Sequence, residues 1–181
     1  MRRILMILPL FFIIGCMTPW SQVGGPYHDT QYGYAVDLPL GWSKLNTDKY
    51  LFITRDGGML QNIFIERMGT DVVFSHTKKK LNKSMLPMEV AEVIIDNISS
   101  DKTVLNFQVL ENNPLILGAD HGFKILFTYN NADDLKFKSI YCGFLTDEWF
   151  YTIRYTAPER HYFRKDIDEF ERVLGSFKRT S

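Results

Sequence analysis

The chain has 181 residues, 45% apolar and 14% aromatic, with 21 basic side chains against 21 acidic ones. That length and apolar content suit one packed domain with an extension. Balanced charge provides no global field that favours nucleic acid and no argument for a solvating acidic tail.

In chain order, the first segment is an address. Arg2 and Arg3 precede an apolar run over residues 4–14, and Gly15-Cys16 follows at once, the layout of an export signal. The run is too short to span a bilayer, which takes roughly 20 apolar residues. Ile13-Ile14-Gly15-Cys16 resembles the lipobox of bacterial lipoprotein precursors, with isoleucine where leucine and a small residue are commoner. The resemblance implies that residues 1–15 are a cleaved signal peptide. It also implies that Cys16 becomes the N-terminus, anchored to the membrane by a diacylglyceryl thioether and a palmitate-type acyl chain. Met17 stands where enteric lipoproteins of the inner membrane carry aspartate, so the resemblance implies the outer membrane, facing the periplasm. Without acylation the same pattern is a plain signal anchor or a cleaved secretory peptide. Only Cys142 then remains, and one thiol makes no internal disulfide. Its place between Tyr141 and Gly143 suits a small buried residue better than a nucleophile.

Residues 16–31, with Pro19, Gly24, Gly25 and Pro26 and no periodicity, predict a flexible lipidated tether, so a single domain is expected over 32–181. Tyr32, Tyr34, Val36 and Leu38 alternate as a strand that should end at Pro39-Leu40-Gly41, with Trp42 folding back as an anchor. Two strands flank Asp56-Gly57-Gly58, a hairpin signal. Pro87 fits the first turn of a helix whose buried stripe is Val90, Val93, Ile94 and Ile98. Leu105, Phe107 and Val109 form a strand that should stop at Asn112-Asn113-Pro114, followed by a short apolar link at 115–118. Phe123, Ile125, Phe127 and Tyr129 make the next one. The chain closes on two alternating strands, with Leu135, Phe137, Tyr141 and Leu145 in the first and Trp149, Tyr151, Ile153 and Tyr155 in the second. A helix then places Phe163, Ile167, Phe170 and Leu174 on one stripe.

Three strands, a helix, three or four strands and a helix predict an α+β fold, a mostly antiparallel sheet covered by helices. Residues 34–42, Tyr-Ala-Val-Asp-Leu-Pro-Leu-Gly-Trp, resemble the opening strand and P-x-G-W turn of Mog1/PsbP-like domains, and Gly175-Ser176-Phe177 resembles their closing S-F. With the lipobox, the chain is similar to periplasmic DcrB-like lipoproteins of that superfamily. The resemblance implies a Mog1/PsbP-like sandwich. It transfers no chemistry, because the superfamily performs unrelated tasks.

No catalytic motif is present. His28, His76, His121 and His161 are scattered, with no H-E-x-x-H, no paired cysteines and no EF-hand series, so neither a metal nor another cofactor is expected. Glu159-Arg160-His161 suits solvated charge at a helix start, and Asp133-Asp134 suits a turn. Lys78, Lys79, Lys80 and Lys83 are the one dense like-charge patch, either a solvated loop or a contact for anionic headgroups or an acidic partner. It lacks the aromatic interleaving that nucleic acid needs. Trp149 and Tyr151, among aromatics on both faces of the closing strands, would form an interaction surface if one face were uncovered. The expectation is a non-enzymatic lipid-anchored envelope protein that binds another envelope protein as an accessory module. A binder of a small apolar ligand is the alternative, and an envelope hydrolase comes third.

Overall fold

The computed structural model describes residues 19–180. Nine strands among these residues join in one sheet. In spatial order they are β1 (Trp20–Asp29), β2 (Tyr34–Leu45), β3 (Leu51–Thr54), β4 (Asn62–Gly69), β8 (Trp149–Pro158), β7 (Lys136–Leu145), β6 (Asp120–Asn130) and β5 (Leu105–Leu117). β9 (Lys178–Arg179) pairs with β2. α1 (Pro87–Ser99) connects β4 to β5, while α2 (Tyr162–Lys165) and α3 (Ile167–Ser176) follow β8. This is the expected α+β architecture, and every strand pair is antiparallel.

Alternation along the strands builds a core on each face of the sheet. On one side Ile63, Ile65, Cys142, Ile153 and Tyr155 pack with Phe170, Val173 and Leu174 of α3. On the other, Phe123, Ile125, Phe127, Tyr141 and Phe150 pack with Val90, Ala91, Val93 and Ile94 of α1. α1 starts where the sequence places it: Pro87 occupies its first turn, and the Glu89 carboxylate accepts the Leu86 N–H at 2.7 Å. Asp56-Gly57-Gly58 turns β3 into β4, with Gly57 at φ +118.

Elsewhere the tertiary structure overrides local signals. Most of the expected tether is β1, whose ladder with β2 runs from Trp20↔Leu45 to Asp29↔Tyr34. Its small and polar residues show no apolar alternation because backbone pairing, more than side-chain burial, holds this edge strand. β2 does not end at Pro39-Leu40-Gly41. Those residues bulge against a register shift between Val23 and Gly25, with Gly41 at φ +77, and the strand resumes at buried Trp42. β5 likewise runs through Pro114 and takes in most of the expected link, because an edge strand tolerates a missing N–H. The closing helix is two pieces broken at Asp166, although Phe163, Phe170 and Leu174 form the predicted buried stripe. Among the described residues, no helix is long and apolar enough to cross a membrane.

Candidate functional site

α1 packs over β5, β6 and β7, which leaves the same face of β3 and β4 without a helix. The register brings Phe52, Phe64 and Arg154 into one row across that face. Trp20 reaches Phe52 (ring centroids 6.0 Å apart), Phe52 meets Phe64 edge-on at 6.3 Å, and Tyr50 lies against Phe64 at 4.9 Å. All four rings are half-buried, so they form an aromatic strip partly open to solvent.

Arg154 rises from the strand beside this strip, its guanidinium 5.1 Å from the centre of the Phe64 ring. Its Nε is buried and has no hydrogen-bond partner, and the side chain makes no ion pair among the described residues. It lines a groove of about 390 Å³ that runs under the C-terminal end of α1, with Phe52, Asn62, Asn97, Ile98 and Thr156 among its walls. His76 and Asp101, 3.5 Å apart, also line it. Burial raises the pKa of Glu66 on the same sheet face, and the charge of Arg154 opposes that rise. A planar guanidinium with free donors beside aromatic walls is suited to a carboxylate or phosphate carried on an apolar body.

The residues singled out from sequence do not converge on this groove. Lys78, Lys79, Lys80 and Lys83 are all exposed in the loop between β4 and α1, which Phe74 and Leu81 pin to the core. Lys79 is paired with Asp96 of α1. Trp149 and Tyr151 are not a bare surface. Arg67 lies 4.0 Å over the Trp149 ring, and Tyr151 is 4% exposed with its hydroxyl donating to the Tyr32 carbonyl. Arg67, which also donates to the Gln31 carbonyl, ties the Trp149 side to the tip of the β1–β2 hairpin, and the same tip receives the Tyr151 hydroxyl. Cys16 lies outside the described residues. Cys142 is fully buried, and burial pushes its thiol up to about 12. Among the described residues no three His, Cys, Asp or Glu side chains are grouped as metal ligands. The groove itself had one sequence signal, a lone arginine between Ile153 and Tyr155 in an otherwise uncharged strand. Its aromatic neighbours come from strands that only the register brings alongside.

A family model described as PsbP matches residues 25–179. No curated protein matches the chain. Among solved structures, the chain is similar to cyanobacterial PsbP (CyanoP) from Synechocystis at 13% identity and TM-score 0.59, covering 95% of this chain and 98% of that one. It is similar to the Saccharomyces cerevisiae Ran-binding protein Mog1p at 10% identity and TM-score 0.60, covering 89% and 97%. It is also similar to LpqN, involved in cell envelope biogenesis of Mycobacterium tuberculosis, at 12% identity and TM-score 0.61, covering 91% and 93%. Likeness at these identities is likeness of fold.

Proposed function

The chain belongs to the PsbP family, and from that premise we propose that it is a non-enzymatic, lipid-anchored protein of the bacterial cell envelope. It is held at the outer membrane, facing the periplasm, by an acylated Cys16. Its task is to bind another envelope protein as an accessory module. The fold does not name the task, since it is shared by a Ran-binding protein and by a protein of envelope biogenesis. Support for the address comes from the arginines, apolar run and cysteine of residues 2–16, and from the likeness to LpqN. Support for binding comes from one observation, the unpaired Arg154 in a groove beside an open aromatic strip.

Aromatic and arginine side chains are the usual anchors of protein interfaces. A partner carboxylate seated on Arg154 would make a charge-assisted, bidentate contact, while its apolar residues cover Phe52 and Phe64. Arg154→Ala should therefore weaken the complex by about 2 kcal/mol or more, roughly thirtyfold. The test is a photo-crosslinking side chain placed at Asn62 in intact cells. One protein adduct is expected, lost in Arg154→Ala and absent when the crosslinker stands at Lys83. Equal adducts in all three proteins would sink the proposal.

A second reading, a small ligand with an anionic head, is favoured by the groove's volume, which falls in the range of about 300–1,000 Å³ usual for ligand pockets. Native mass spectrometry separates the two, since a small-molecule mass carried by the wild type and lost in Arg154→Ala would decide for the ligand. For the anchor, Cys16→Ser should move the protein from the membrane to the soluble fraction, or leave it uncleaved. Finding the wild type soluble and without an acyl adduct would remove this part of the reading.

A further inference from the structure

We infer that the end of the domain formed by the β3–β4 turn and the β8–α2 junction docks on anionic phospholipid headgroups, an inference that rests on the acylated Cys16 proposed above. It starts from the corrected length of the tether. β1 begins at Trp20, so the four residue steps back to Cys16 reach at most about 14 Å, whatever their conformation. An anchor that short holds the domain against the bilayer, and the surface near Trp20 must lie close to it.

That surface has the chemistry of a membrane interface. The Trp20 ring lies beside the β3–β4 turn, 4.0 Å from where a Cβ on Gly58 would stand. Met59, next in the turn, is 79% exposed. Leu60 lines an apolar hollow of about 630 Å³ with Leu135, Pro158 and Tyr162, and Leu135 is 46% exposed. Glu159, Arg160 and His161 line this hollow and also a second depression of about 450 Å³, where Lys138 and Arg164 join them. The acidic groups nearby are mostly engaged. Glu159 is paired with Lys136 at 3.0 Å, Asp56 with Lys165, and Asp134 accepts a hydrogen bond from the Asn130 amide at 2.6 Å. Lys138, Arg160 and Arg164 have no acidic partner within ion-pair distance among the described residues, and Lys138 instead lies 5.2 Å over the Phe163 ring. Three uncompensated cations beside exposed apolar side chains and a tryptophan match the headgroup region, where phosphates meet the upper acyl chains. The Lys78–Lys83 loop is instead tied to α1 by the Lys79–Asp96 pair.

The test uses the full acylated protein on vesicles of phosphatidylglycerol and phosphatidylethanolamine, with hydrogen exchange read on segments 56–60, 135–138 and 159–165. All three should exchange more slowly than in detergent micelles. The protection should shrink on pure phosphatidylcholine and with rising salt. Lys138→Gln, Arg160→Gln and Arg164→Gln should each lower the docked-to-free ratio about fivefold, the effect of one cation near an anionic surface. These side chains lie outside the core, so the variants' melting in detergent should match the wild type. Salt dependence of the wild type provides the same test without any variant. Acylated protein that sits on the vesicles with these segments exchanging as in detergent would overturn the docking while leaving the anchor intact. Equal protection on phosphatidylcholine would overturn it too. Protein that carries no acyl group and stays off the vesicles removes the anchor reading first, and the docking with it.

Discussion

Arg55 and Asp166, 111 residues apart in sequence, meet at 2.8 Å, with the carboxylate wholly buried and the arginine 46% exposed. The other oxygen of Asp166 accepts from the Gln61 amide at 3.0 Å, and Gln61 also donates to Asp56 at 3.1 Å. This clasp fastens the β3–β4 turn to the break between α2 and α3. Asp166→Ala removes one of the two acceptors of the buried Gln61 amide together with the partner of Arg55, and should cost about 1–3 kcal/mol. The urea midpoint should fall at unchanged slope; an unmoved midpoint would mean that the clasp contributes nothing.

Phe170 is fully buried and stacks on Tyr155, with centroids 5.4 Å apart. Phe170→Ala should cost about 3–5 kcal/mol, much of the margin of a domain of ordinary stability. A melting temperature equal to that of the wild type would show that α3 is not docked as described.

Glu66 provides a pH test. Burial holds its carboxyl above the ordinary glutamate value, with Arg154 pulling the other way. The folded state therefore binds this proton more tightly than the unfolded one. The resulting stabilisation is fully present below the ordinary glutamate pKa and is lost as pH rises through the folded one. Glu66→Gln should melt higher than the wild type at neutral pH, with the gap closing in acid. A gap that widens in acid would reverse the assignment of burial as the larger effect.

Cys142 should be silent in the native protein. Its thiol, raised to about 12, is neither ionised at pH 8 nor accessible, so an aromatic disulfide reagent should label it only in denaturant. Cys142→Ser should abolish that labelling. One fast thiol in the native mature protein would belong to an unacylated Cys16.

Changing Lys78, Lys79, Lys80 and Lys83 together to glutamine should move stability by less than about 1 kcal/mol, since all four are exposed and the Lys79–Asp96 pair is solvated. A larger loss in a denaturant titration would mean that the loop is held by charge and not by Phe74 and Leu81.

What the sequence determined by itself was whatever depends on neighbours along the chain. The α+β class, the Asp56-Gly57-Gly58 hairpin, the Pro87 helix start, the buried stripe of Phe163, Phe170 and Leu174, and the buried Cys142 all follow from local periodicity and turn chemistry. Tertiary structure decided the rest, because it depended on pairing between distant segments. Trp20–Asp29 carries no strand pattern of its own and becomes β1 only when β2 offers it a ladder. Pro39 and Pro114 punctuate an isolated segment, yet a bulge and a sheet edge absorb them. Asp166 breaks the closing helix because Arg55 and Gln61 wait for its carboxylate. Trp149 and Tyr151 would form a surface if their face were bare, but Arg67 of β4 lies over the first ring and the tip of the β1–β2 hairpin holds the hydroxyl of the second. The same register gathers Phe52, Phe64 and Arg154 into one row, so the candidate site exists only in the folded sheet.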